Sequence, residues 1–265
     1  MRIRALLIAV ALIAVACGTG GVSASTPRPI VAAPAIEALV DDPPFASPAV
    51  GPTQPLWAGF EATSTEDATL AARANGPLEV FEEPGASAPK LTLDATTILG
   101  TVTVLGVVSA PVDGWVEVML PIRPNGSTGW VDAGQVSLYV ADSLIVVELE
   151  ARRLTYLVDG VEVLTTDVGV GSLYNQTPPG EYFVTDNVTM ANPNSPWGPH
   201  ALGLSARSES ITSYNGGDGI IGIHGTNNPS SIGSNISLGC VRLPNDMITA
   251  LHDMVPIGTR VEIRA

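Results

Sequence analysis

The chain has 265 residues, 45% of them hydrophobic and 14% charged, with 27 glycines and 22 prolines. That apolar fraction excludes a disordered chain, and beyond the N-terminus no apolar run is long enough to span a bilayer. Twelve Lys and Arg against 26 Asp and Glu leave a net charge of −14, which argues against nucleic-acid binding. There are two cysteines, Cys17 and Cys240, 223 positions apart.

The chain opens with Arg2 and Arg4, then an apolar run from Ala5 to Ala16. Twelve residues suit the apolar region of a secretory signal better than a membrane span. Ala14-Val15-Ala16-Cys17 resembles a bacterial lipobox, with Ala14 where Leu is usual. That resemblance implies a signal peptide at 1–16 and a lipid on Cys17 as the first mature residue. The alternative is a plain secreted protein cut near Ala24. Either way the protein works outside the cytoplasm, at the outer face of the membrane or in the wall. With Cys17 lipidated or removed, Cys240 is a lone thiol in an exported protein. It is then either buried and inert or a nucleophile.

Residues 17–70 are rich in Pro and Ala and read as a linker. In extended form such a segment holds a domain roughly 100 Å from a membrane. Residues 71–139 break into short β-like runs, including Leu78–Phe81, Ile98–Val108, Trp115–Leu120 and Gly129–Val131, divided by turn residues. A small barrel or sandwich is expected. Gly114-Trp115-Val116 and Gly129-Trp130-Val131 resemble Src-homology-3-like modules of bacteria, which often bind wall peptides. Trp115 and Trp130 are either such contacts or ordinary core aromatics.

Residues 140–265 are also mainly β. Leu144–Leu149 reads as a buried strand, and Asp159-Gly160 as a two-residue hairpin turn. Glu181–Thr185 follows the Pro178-Pro179-Gly180 turn, and Ile220–Ile223 ends at His224. One helix is expected, capped by Asn245, carrying Met247, Ile248 and Leu251 inward, and stopped by Pro256. His252 lies beside that stripe and reads as a solvated residue. A last strand alternates Val261 and Ile263 with charged residues.

Chemistry concentrates in this second part. His224 precedes Gly225-Thr226, and sixteen positions later Cys240 sits within Ser237-Leu238-Gly239-Cys240-Val241-Arg242-Leu243. A free thiol is only a few per cent thiolate at pH 7, and a nearby imidazole that takes its proton makes it an effective nucleophile. Gly239 allows a sharp turn. The amides of Gly239 and Cys240 are placed to face an oxyanion, and Arg242 to neutralise a carboxylate. Zinc is a weak competitor, because one Cys and one or two His do not complete a tetrahedral set.

These two segments together resemble the signature of bacterial L,D-transpeptidase catalytic domains. The resemblance spans about 140–265. It takes in Gly169-Val170-Gly171, Thr177-Pro178-Pro179-Gly180 and the glycine-rich run Asn215–Gly219, and the upstream module and export signal fit actinobacterial lipoproteins of this type. Leu238 stands where the family often has His, so a second imidazole contribution is absent. The implied fold is mainly β: the small Src-homology-3-like module, then a sandwich-like catalytic domain with one or two short helices.

The implied function is a cofactor-free, metal-free cysteine acyltransferase of peptidoglycan, a monomer that helps organise the wall and cell shape and is a carbapenem target. Cys240 attacks the third residue of a tetrapeptide stem, D-Ala leaves, and an amine of a neighbouring stem resolves the thioester. His224 handles the protons, the Gly225 carbonyl orients it, and Ser237 supports the site. Arg242 holds the loop or binds a stem carboxylate. Tyr214 shapes a groove or simply packs; His200 lines the groove or is structural. The alternatives are an L,D-carboxypeptidase, in which water resolves the thioester, and a non-catalytic wall-binding module.

Overall fold

In the computed structural model, residues 69–214 and 217–265 are described. The export signal, Cys17 and the linker up to residue 68 lie outside the described residues, and Leu70, read as the last residue of the linker, is the first residue of a strand.

The first strands are β1 (Leu70–Ala74), β2 (Leu78–Val80), β3 (Leu91–Leu93), β4 (Val104–Gly106), β5 (Trp115–Met119), β6 (Thr128–Asp132) and β7 (Val136–Val140). β1 is the centre of a three-stranded antiparallel sheet between β4 and β7, and β2-β3 and β5-β6 are hairpins. Alternation sends Val116, Val118 and Val131 inward with Leu78, Val80 and Leu105. Trp115 and Trp130 therefore face away from that core. They are half-buried on the outer face, where Trp115 meets Phe81 edge-on at 5.2 Å. The expected run Ile98–Val108 is a strand only at β4. Thr97 accepts from the Gly100 amide, closing a turn that leaves Ile98 exposed. A β-branched run is overridden here by the glycine inside it.

The remaining elements are β8 (Ser143–Glu148), β9 (Arg153–Val158), β10 (Val161–Asp167), β11 (Val170–Gly171), β12 (Gly180–Thr189), β13 (His200–Arg207), β14 (Ile220–His224), β15 (Asn235–Ser237), β16 (Val241–Arg242), α1 (Asn245–Met254) and β17 (Arg260–Arg264). Eight of them form one sheet in the order β10-β9-β8-β17-β12-β13-β14-β16, and β11 pairs with β15. Ile145, Leu154, Leu202, Leu204, Ile221, Ile223, Leu243, Ile248, Leu251 and Val261 share its core. At about 25 cal/mol per Å² of apolar area removed from water, each such side chain contributes roughly 1.5–3 kcal/mol. The β9–β10 connection is the expected hairpin, with Asp159 and Gly160 both at positive φ.

The helix departs from expectation at its start. Pro244 occupies the N-cap position and makes no side-chain cap bond. Asn245 instead turns its Oδ1 to the Thr226 amide, 2.7 Å away. His252 is partly buried rather than free in solvent: its ring stacks on His200 at 3.9 Å and bonds Asn187.

Two contacts bring the first strands to the segment that feeds β14. Arg123 donates to the Asp218 carboxylate at 2.9 Å and to the carbonyls of Ser208 and Ile211. The Asn125 side chain bonds both the N–H and the C=O of Arg207 at 2.8 Å. Phe183 of β12 fills the first core. The strand that ends at His224 is thus anchored from both parts of the chain.

Candidate active site

Strand pairing brings the two reactive residues together. β14 and β16 run parallel with Ile223 opposite Val241 and His224 opposite Arg242, so Cys240 lies beside Gly222. The Gly222 N–H donates to Cys240 Sγ at 3.4 Å. His224 follows two residues later on the same face of the strand. Its chain position is held by the Leu243 amide, which donates to the His224 carbonyl at 2.8 Å.

The His224 ring is 5% exposed. Its Nδ1 lies 2.6 Å from the Gly225 carbonyl oxygen. A carbonyl only accepts, so Nδ1 carries the proton and Nε2 is the basic nitrogen. Trp197 covers the ring at 4.5 Å and a 48° tilt. Gly225 is in turn fixed by its own N–H to His200 at 3.2 Å, and by Asn245, which bonds the next amide. No Cβ fits at Gly225, where it would meet the Asn245 amide oxygen at 2.5 Å.

Burial lowers the His224 pKa to about 4, and the Arg242 charge pushes the same way against the Gly225 carbonyl. Burial also raises the Cys240 thiol, opposed by the Gly222 amide and Arg242. At neutral pH the pair rests as thiol and neutral imidazole, so proton transfer accompanies attack.

The same shift is a stability statement. Between pH 6.5 and 4 the unfolded chain binds a proton on this imidazole that the folded chain refuses. Stability is full above pH 6.5 and falls by about 3 kcal/mol as pH drops to 4. Trp197→Ala lets water reach the ring. An NMR titration of His224 is expected to show a midpoint near 4 in the parent and one shifted toward 6.5 in the variant. An unmoved midpoint would show that Trp197 does not set the burial.

The loop before Cys240 is braced by two hydroxyls. Ser237 Oγ accepts from the Gly239 amide at 3.0 Å and donates to the Cys240 carbonyl at 2.6 Å. Thr177 Oγ1 donates to the Gly239 carbonyl at 2.8 Å and accepts from the Gly171 amide at 2.9 Å. This corrects one expectation. The Gly239 N–H is spent on Ser237 and does not face an oxyanion, while the Cys240 N–H has no partner among the described residues.

Arg242 holds the loop through its backbone, exchanging bonds with Gly169 at 2.7 and 2.9 Å. Its side chain forms no ion pair among the described residues, and its buried Nε is unpartnered. The guanidinium beside Cys240 and His224 is therefore uncommitted. Among the described residues, no group of three or more His, Cys, Asp or Glu side chains is placed to hold a metal ion.

Of the two residues offered for a groove, strand register assigns His200 to its structural alternative. Ala201, not His200, stands opposite His224 across β13 and β14. Alternation therefore turns His200 to the other face, where it meets His252 and Thr189. Tyr214 is 43% exposed on a tight bridge with Gly217, and no bond ties it to Cys240 or His224. Thr177 and Asn245 were the residues to which sequence reasoning gave no site role. The signal for Thr177 was its place in the Thr177-Pro178-Pro179-Gly180 string.

A family model described as the YkuD L,D-transpeptidase catalytic domain matches residues 142–263. The chain is 37% identical over 119 residues to YkuD of Bacillus subtilis, named as a candidate L,D-transpeptidase, covering 45% of this chain and 64% of that protein. It is 35% identical over 154 residues to YkuD of Bacillus licheniformis, covering 56% of this chain and 85% of that one. ErfK/SrfK of Escherichia coli, also named as an L,D-transpeptidase, is 31% identical over 137 residues, covering 47% of this chain and 44% of its own length. A crystal structure of L,D-transpeptidase 3 from Mycobacterium tuberculosis aligns at TM-score 0.41 and 16% identity over 62% of this chain and 91% of that one. Matched along most of the Bacillus licheniformis protein, the chain belongs to the YkuD family of L,D-transpeptidases.

Proposed function

We propose that the protein is an exported peptidoglycan L,D-transpeptidase that works through a thioester on Cys240. The observation that carries this reading is a single arrangement. Neutral His224, with Nδ1 tied to Gly225, stands two residues along β14 from the glycine that bonds Cys240 Sγ, and the Cys240 N–H has no partner among the described residues.

The steps follow from those groups. His224 Nε2 takes the thiol proton as sulfur attacks the carbonyl of the third stem residue. The oxyanion that forms accepts from the Cys240 amide. Collapse breaks the peptide bond, and the D-Ala amine leaves with the proton from His224. An amine from a neighbouring stem then attacks the thioester, gives its proton to His224 and expels the thiolate, which is reprotonated. The product joins two third-position residues. Arg242, unpaired with any carboxylate among the described residues, supports binding of a stem carboxylate. At −14 the chain as a whole has no attraction for an anionic wall.

The same reading places a lipid on Cys17, a membrane-tethered or wall location, and acylation of Cys240 by carbapenems. Cys17→Ala is expected to release the protein from the membrane fraction.

The function is tested by mass spectrometry of muropeptides after incubation with disaccharide-tetrapeptide. Loss of D-Ala with new dimers is the expected result. D-Ala loss with tripeptide monomers alone would assign an L,D-carboxypeptidase, and unchanged substrate would leave a wall-binding module.

A further inference from the structure

We infer that Thr177 is a positioning residue for the oxyanion donor, acting by fixing the peptide plane between Gly239 and Cys240. The inference rests on the reading of Cys240 as an acyl-forming nucleophile. It adds a residue, distant in sequence, that aims the oxyanion donor.

A trans peptide unit is planar, and its C=O and N–H point in opposite directions. The carbonyl of the Gly239–Cys240 unit accepts from Thr177 Oγ1 at 2.8 Å. Whatever aims that carbonyl aims the Cys240 N–H the opposite way. That N–H has no partner among the described residues, so its direction is set only by the groups that hold its plane. The two flanking peptide planes are held by another residue: Ser237 Oγ bonds the Gly239 amide on one side and the Cys240 carbonyl on the other. Among the described residues, Thr177 alone holds the middle plane.

Gly239 makes such a hold necessary. Its φ of +116° belongs to a region where glycine moves with little hindrance, so the plane that follows it is the easiest in the loop to rotate. Thr177 is well suited to resist that rotation. It is 2% exposed. Pro178 restricts its backbone to extended conformations, and its branched Cβ limits the rotamer of the hydroxyl. The Gly171 N–H bonds the same oxygen at 2.9 Å, so the hydroxyl proton is left for Gly239. The bond also polarises the unit, making the Cys240 N–H a better donor.

Two reactions of the same thiol separate this role from a structural one. Acylation by p-nitrophenyl acetate passes through an oxyanion; alkylation by iodoacetamide does not. In Thr177→Val, acylation of Cys240, read by intact mass, is expected to fall about 10- to 100-fold, short of full loss of an oxyanion donor. Alkylation is expected to stay within about twofold. Thr177→Ser keeps the hydroxyl and is expected to stay near the parent in both. If both reactions fall together in Thr177→Val, the residue only holds the fold and the inference is overturned. It is also overturned if acylation is unchanged. If the parent protein is alkylated but never acylated at Cys240, the reading of Cys240 as an acyl carrier falls, and the inference with it.

Discussion

Cys240→Ala is expected to abolish D-Ala release and dimer formation, a loss of about four orders of magnitude or more, with little change in melting temperature. The side chain is small, mostly buried and outside the apolar cluster of β8–β17 and α1, so its removal opens no large cavity. The one bond lost is the weak Gly222 N–H to sulfur contact at 3.4 Å. Cys240→Ser is expected to be nearly as inactive. A hydroxyl is far less acidic than a thiol, and an imidazole whose pKa burial lowers to about 4 is too weak a base to activate it. The same pKa sets the acid limb of the parent's pH–rate profile near 4, with activity level through the neutral range. Turnover surviving in Cys240→Ala would remove the thiol from the mechanism.

Gly239→Ala is the second large effect. The new methyl would sit in a backbone region of φ +116° and meet the Ile221 Cδ1 at 2.9 Å. The backbone strain costs about 1–3 kcal/mol. The loop cannot relax freely, because Ser237 and Thr177 hold it on three sides. A displacement of about 1 Å at the nucleophile is expected to slow acylation about 100-fold. The Gly239→Ala/Ile221→Val pair separates the two causes. It removes the methyl contact and leaves the strain, so stability is expected to recover in part while acylation stays slow. Full recovery of acylation would mean that crowding, not backbone conformation, is what glycine avoids.

Local chemistry was legible in the sequence, and long-range bonding was not. The Asp159-Gly160 hairpin was readable because two adjacent residues set its turn. The pairing of His224 with the Cys240 segment was readable because both lie in short, distinctive strings. The Gly100 turn inside Ile98–Val108 was missed because β-branched neighbours outvote one glycine in a pattern. The loss of the Gly239 amide to Ser237 needed the fold of the loop, since spacing alone leaves both amides available. Asn245 looked like a helix cap because its type and place suit one, yet tertiary contact with the Thr226 amide won. Thr177 lies 62 positions from Gly239, a separation no local pattern reports. His200 was expected to line the groove or be structural, and one residue of strand alternation decides which face it occupies.

The most direct measurement is rapid-quench intact-mass analysis of the parent protein mixed with disaccharide-tetrapeptide, followed by peptide mapping. The expected result is a transient adduct of the substrate less D-Ala, on Cys240 and formed at the rate of D-Ala release. Release of D-Ala with no such adduct, or with the adduct on another residue, would contradict it.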